Sequence, residues 1–191
     1  MAKLFIRTLV ARHQLLRGLA VSFVLVCAAP AYAQEITMLN GDLRFNLPAG
    51  FSRLSDDEIR SKYQGGGRPP MVAYGDAQRN VRIGFNLSKT QQPLSDGRLE
   101  EAKAAFEDLF PRMIPGFRWN DRRMVSFGGK RWVFFDFGSE GPQGPKRNHM
   151  YITTYRGDML SISGAAPLSD WPTAQQPLND GIRSIRLTLN N

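Results

Sequence analysis

The stretch from Arg118 to Ser163 constrains the fold more than any other part of the chain. Four runs rich in β-branched and aromatic residues follow one another: Arg118 to Phe127, Arg131 to Gly138, Asn148 to Arg156 and Met159 to Ser163. Gly128-Gly129, a Gly/Pro loop from Gly138 to Pro145, and Gly157-Asp158 separate them. Strand runs joined by such short turn signals read as an antiparallel meander.

The flanking segments must supply what covers that meander. Ile36 to Leu47 reads as two short strands around Asn40-Gly41, a dipeptide suited to a tight hairpin turn. Pro48-Ala49-Gly50-Phe51 breaks this run. Ser55 and Glu58 stand at capping-box spacing and open a short helix that ends by Gly65-Gly66-Gly67. Met71 to Tyr74 and Val81 to Leu87 form a second expected hairpin, with Val81, Ile83, Phe85 and Leu87 on one alternating face. Between Gly97 and Phe110, the residues Leu99, Ala102, Phe106, Leu109 and Phe110 recur at helical spacing, and Pro111 is expected to end or kink that helix. Trp171, Ala174, Leu178, Ile182 and Ile185 predict a terminal helical region interrupted at Pro177, with a strand closing the chain over Ile185 to Leu189. The order is hairpins, helix, meander, helix. Without regular β-α alternation, it predicts one α+β domain whose helices cover a largely antiparallel sheet.

Several of these segments together resemble the PsbP-like domains, a superfamily that includes the DcrB-like envelope proteins. The resemblance starts at Leu43-Arg44-Phe45-Asn46-Leu47-Pro48-Ala49-Gly50-Phe51 and continues through the amphipathic helix at 97–110 to Phe127-Gly128-Gly129-Lys130-Arg131-Trp132. It then takes in Tyr151 to Tyr155, the run Gly157 to Gly164, and the closing Trp171 and Ile182-Arg183-Ser184-Ile185-Arg186-Leu187. It rests on order and spacing rather than on a diagnostic motif. It implies an α-β-α sandwich around an antiparallel sheet, a protein-binding role, and no shared catalytic residues.

The N-terminus has the three zones of a secretory signal. Lys3, Arg7, Arg12 and Arg17 precede an apolar run from Leu19 to Ala29, and Ala31-Tyr32-Ala33 supplies an A-x-A site. The apolar run is about half of the roughly 20 residues a membrane-spanning helix needs. Cleavage after Ala33 is therefore expected, leaving 34–191 as the mature domain, periplasmic or secreted, with no transmembrane anchor. Val26 stands where lipoprotein processing of Cys27 would want a small residue. Cleavage removes four basic residues and no acidic ones, lowering the formal charge from +8 to +4. It also removes Cys27, the sole cysteine, and with it any disulfide, thiolate metal site or cysteine nucleophile from the mature domain.

Candidate chemistry is sparse. His149 is the one histidine beyond the signal and is placed at a strand end. A single histidine without cysteine does not build a conventional structural zinc site, and any Ser-His-Asp triad would depend on it alone. Asp136 shares a strand face with Phe134 and reads as a buried, hydrogen-bonded structural acid, with a ligand-facing role as the alternative. Glu100-Glu101 and Glu107-Asp108 sit on the expected helix beside Lys103, where acids normally face water. Gly65 to Pro70 lacks the Gly-Lys-Ser/Thr ending of a phosphate loop. Arg156-Gly157-Asp158 spells an adhesion tripeptide but is explained by a turn.

One charged feature remains. Arg118, Arg122, Arg123, Lys130, Arg131, Lys146 and Arg147 fall among Phe117, Trp119 and Trp132. Such interleaving can bind single-stranded nucleic acid, but export favours another envelope protein or an anionic surface instead. A merely solvated strand face is the competing reading. The sequence thus predicts an exported, non-enzymatic binding or accessory protein without a cofactor. The alternatives are a small-molecule hydrolase lacking a recognisable motif, and a carrier holding a hydrophobic ligand between sheet and helix.

Overall fold

A computed structural model describes residues 32–63, 68–141 and 143–188; the expected signal zones before residue 32, the Gly65 to Gly67 run and Pro142 lie outside these residues. The opening hairpin forms, but four residues, 39–42, join its strands, with Leu39–Gly41 in a 3-10 turn, instead of the tight turn expected at Asn40-Gly41. β1 (Tyr32–Met38) pairs antiparallel with β2 (Leu43–Pro48), from Glu35 opposite Asn46 to Met38 opposite Leu43. The expected cleavage point after Ala33 falls near the start of β1, so most of its ladder lies downstream of that point. β3 (Ser52–Arg53) is a two-residue strand absent from the sequence reading.

α1 (Asp56–Lys62) carries the capping box complete. The Ser55 hydroxyl accepts from the Glu58 backbone at 3.2 Å, and the Glu58 carboxylate accepts from the Ser55 backbone at 2.7 Å. β4 (Val72–Gly75) and β5 (Arg82–Ser88) make the second hairpin, and Ile83 and Phe85 are wholly buried on its alternating face.

α2 (Leu99–Met113) contains Pro111 and runs past it. Close to a helix end, the lost donor removes one intrahelical bond, and the last turn still closes through Ile114 N–H to the Phe110 carbonyl at 3.0 Å. Leu109, expected in the apolar stripe, is 42% exposed; Leu99 and Phe110 are the buried residues of this helix.

The meander follows as β6 (Arg118–Phe127), β7 (Lys130–Gly141), β8 (Gly144–Tyr155) and β9 (Asp158–Pro167). The expected Gly138 to Pro145 loop is instead mostly strand. The ladder continues through Gly138 opposite Arg147 to Gly141 opposite Gly144, because β7 and β8 pair with each other out to the turn, backed by β6 at Gly138 and by β9 at Lys146 and Arg147, which overrides the local Gly/Pro signal. Arg156 and Gly157, at φ 50° and 84°, make the two-residue β8–β9 turn, so the adhesion-like tripeptide is a hairpin turn.

α3 (Trp171–Arg183) is likewise continuous through Pro177. Pro177 and Thr173, whose carbonyl it leaves without a donor, are both exposed residues, and a solvent-facing carbonyl tolerates the loss better than a buried one. A final strand then forms over only two residues, β10 (Arg186–Leu187), of the expected Ile185 to Leu189; Leu189 lies outside the described residues.

The strands form two sheets. The larger has seven strands in the order β3-β4-β5-β9-β8-β7-β6, with every pairing antiparallel. The smaller has the order β1-β2-β10. Leu99 and Phe110 of α2 pack with Val133, Phe135, Phe137 and Ile152 on one face of the large sheet. The same face, at its β4 end, receives α1 through Ile59 against Leu54 and Ala73. The opposite face carries Trp132, Phe134, Tyr151 and Ile162, which pack with α3 and the inner side of the small sheet. The fold is thus an α+β, α-β-α arrangement as expected, with a small sheet added beside α3.

Candidate functional site

Alternation along β7 sends Trp132, Phe134 and Asp136 to the α3 face and Val133, Phe135 and Phe137 to the α2 face. Asp136 stands opposite His149 in β8, so register alone brings the two polar candidates together. His149 is not at a strand end, as expected from the sequence, but inside β8 and 3% exposed. The correction follows from β8 beginning at Gly144, once the ladder with β7 extends into the Gly/Pro segment.

Around this pair the structure assembles a polar network. His149 Nδ1 lies 2.9 Å from Asn179 Oδ1 on α3. Its Nε2 approaches Asp136 Oδ2 at 3.3 Å, within ion-pair range but without good hydrogen-bond direction. The Arg147 guanidinium donates through both Nε and Nη2 to the two oxygens of Asp136, the second at 2.7 Å. Asn120 Nδ2 adds a longer contact of 3.4 Å. The ring of His149 is wedged edge-on between Phe134 and Trp171, and Arg147 lies over Trp171. Burial pushes the Asp136 carboxyl up, but contacts with His149 and Arg147 outweigh it and hold the group below the ordinary aspartate range. The network binds β7, β8 and α3 together. Half-buried Asn179 holds one nitrogen of His149, and the other faces the Asp136 carboxylate without a hydrogen bond, so the ring is oriented between β7 and α3.

The expected basic surface is divided. Arg118, Arg122 and Arg123 are exposed on β6, the edge strand of the large sheet. Arg122 lies 3.5 Å from Glu107 of α2 and over the ring of Trp119. Arg123 pairs with Asp121 and stands over Phe134. Lys130 reaches Asp96 at 3.6 Å, and Arg131 reaches Glu100 at 3.3 Å. Arg147 is committed to Asp136. Lys146 is half-buried, and burial, with Arg82 and Lys62 nearby, holds its ammonium below the usual lysine range.

The aromatic members recede. Trp132 is fully buried, stacked on Phe127 with ring centres 4.8 Å apart, and its Nε1–H donates to the Phe127 carbonyl, so it does not belong to a binding surface. Trp119 is half-buried against Phe117, Phe110 and Phe135. Among the described residues there is no group of three or more metal-ligating side chains.

The sequence reading missed a cavity on the α3 face. Arg123, Val125, Ser126, Phe127, Phe134, Tyr151 and Arg183 line a space of about 220 Å³ between β6–β8 and the last turn of α3. Burial raises the Tyr151 phenol, against the opposing pull of Arg183 and Arg123. Asn179 and Arg183, four residues apart beside Leu178 and Ile182, were the one available signal: polar residues along the flank of an apolar helix stripe.

Comparison with known proteins shows the fold alone. No family profile matches the sequence, and no curated protein matches it. Solved structures do match in three dimensions. The cyanobacterial PsbP protein CyanoP from Synechocystis has a TM-score of 0.56 at 13% identity, over 81% of this chain and 91% of that one. LpqN of Mycobacterium tuberculosis, a protein involved in cell envelope biogenesis, has 0.56 at 15%, over 82% and 91%. A Pseudomonas aeruginosa protein of unknown function has 0.50 at 12%, over 83% and 97%. The fold is PsbP-like.

Proposed function

We propose that this domain is an exported, non-catalytic binding or accessory protein of the cell envelope that acts through its surface. The observation that carries the reading is the fate of the groups that could have done chemistry. His149 and Asp136 are spent on each other, on Arg147 and on Asn179, in a buried network that fastens a helix to a sheet. The likeness to LpqN supports an envelope role, and the signal-like N-terminus supports export. No helix among the described residues is long and apolar enough to cross a membrane.

The contact surface in this reading is the edge strand β6, with Arg118, Arg122 and Arg123 exposed along it. An uncovered sheet edge offers main-chain groups to a partner, and arginines set charge complementarity. The partner is an acidic envelope protein rather than nucleic acid. The test is a pull-down from an envelope extract with the natural chain and with R118E/R122E/R123E. The expected result is a saturable partner retained by the first and lost by the second. No saturable partner at concentrations where the domain is folded would defeat the reading. The intact mass of the exported protein checks cleavage after Ala33.

A further inference from the structure

The cavity beside α3 combines features that a plain packing defect lacks. Two guanidiniums, Arg123 and Arg183, line it together with Tyr151, a side chain only 3% exposed. The remaining lining is largely apolar or aromatic: Val125, Phe127 and Phe134. Phe127 is fixed by stacking on Trp132, and Phe134 and Tyr151 pack 4.8 Å apart, so the ring walls are held before any ligand arrives. Arg183 stands in the last turn of α3, and among the described residues no carboxylate forms an ion pair with it. Arg123 is partly neutralised by Asp121.

The charge count at the cavity selects the ligand class. Two arginines and one aspartate leave a single net positive charge, matching a monoanion better than a dianionic phosphate. A planar guanidinium presents paired N–H donors that fit a carboxylate. A volume of about 220 Å³ is below the usual range for drug-sized ligands, roughly 300–1,000 Å³, so the occupant is small. Aromatic walls ask for an apolar, flat body behind the charged end.

We propose that this cavity is a binding site for a small organic carboxylate with a flat apolar body, its carboxylate held by Arg183 and Arg123 with the Tyr151 hydroxyl, and its body against Phe127 and Phe134. Arg123 belongs both to this cavity and to the contact surface proposed along β6, whereas Arg183 and Tyr151 belong to the cavity alone, so substitutions at those two test the cavity without touching that surface.

Benzoate is the probe, titrated into the isotope-labelled protein and followed by backbone amide shifts. Saturable shifts are expected around Arg123, Phe127, Tyr151 and Arg183, with no comparable response to the neutral isostere benzamide. Arg183→Gln, an exposed substitution that leaves the core untouched, should weaken benzoate binding about tenfold or more. Tyr151→Phe should weaken it less. The proposal is overturned if benzoate and benzamide bind alike, if inorganic phosphate binds more tightly than benzoate, if the shifts map elsewhere, or if millimolar benzoate does not saturate.

Discussion

The two faces of the seven-stranded sheet are stabilised by different physics. Against α2, the contact is a nest of rings: Phe106, Phe110, Phe117, Trp119, Phe135 and Phe137 pack at centroid separations of 4.5 to 6.4 Å. Against α3, apolar packing by Leu178 and Ile182 is interrupted by the Asp136–His149–Asn179 network and flanked by the arginine-lined cavity. The first face rests on non-directional burial, which tolerates small shifts and is indifferent to pH. The second depends on directed bonds between charged groups, so it fixes the position of one helix and makes that position sensitive to protonation. Candidate chemistry gathers on the face with directed contacts. Burial supplies the rigidity behind it.

Four measurements break or sharpen this contrast. Phe135→Ala empties the centre of the ring nest and should cost about 3–5 kcal/mol in urea denaturation, by the same amount at pH 7 and pH 5. Asp136→Asn preserves shape but removes the charge that Arg147 and His149 face, and should cost about 2–3 kcal/mol at pH 7. Because the folded carboxyl titrates below its unfolded value, its contribution is complete above the unfolded pKa, roughly 4. That contribution is lost as pH falls from there through the folded pKa. The gap between the natural protein and Asp136→Asn should therefore be constant at neutral pH and close in acid. A gap that persists unchanged at low pH would mean the network is held by shape alone.

Asn179→Ala, which strips His149 Nδ1 of its helix partner, should cost about 1–2 kcal/mol and increase amide exchange in α3 before that in α2. Glu101→Gln, which breaks an exposed pair with Arg98, should leave the denaturation midpoint where it is.

Local signals were legible wherever one residue type answers one geometric need. Ser55 and Glu58 announced their helix start, Gly157 marked the β8–β9 turn to within one residue (Arg156-Gly157 rather than Gly157-Asp158), and alternation placed Asp136 beside Phe134 on one face. Misreadings occurred where a tertiary partner overrode such a signal. Pro111 and Pro177 each stay inside a helix because the orphaned carbonyl lies near a helix end or belongs to an exposed residue. Gly138 to Gly141 stay in a strand because their ladder with β8 runs out to Gly144; on the other edge β6 reaches only Gly138, and beyond it the Pro115 carbonyl accepts from the Glu140 N–H. Trp132 was counted with the surface cations, although the same alternation that placed Asp136 puts its ring on the buried α3 face.

The chain's own pattern therefore determined the α+β class, the antiparallel meander and the element order, because hydrophobic period and turn chemistry act over a few residues. Only the folded molecule decided which residues meet across distance. Asn179 lies 30 residues from His149, and Arg183 is 60 residues from Arg123. Those encounters depend on where α3 lands on the sheet, which is set by the packing of Trp171, Leu178 and Ile182 into a surface built from other strands. No local spacing encodes that landing, and so the network and the cavity beside it became visible only once the chain was folded.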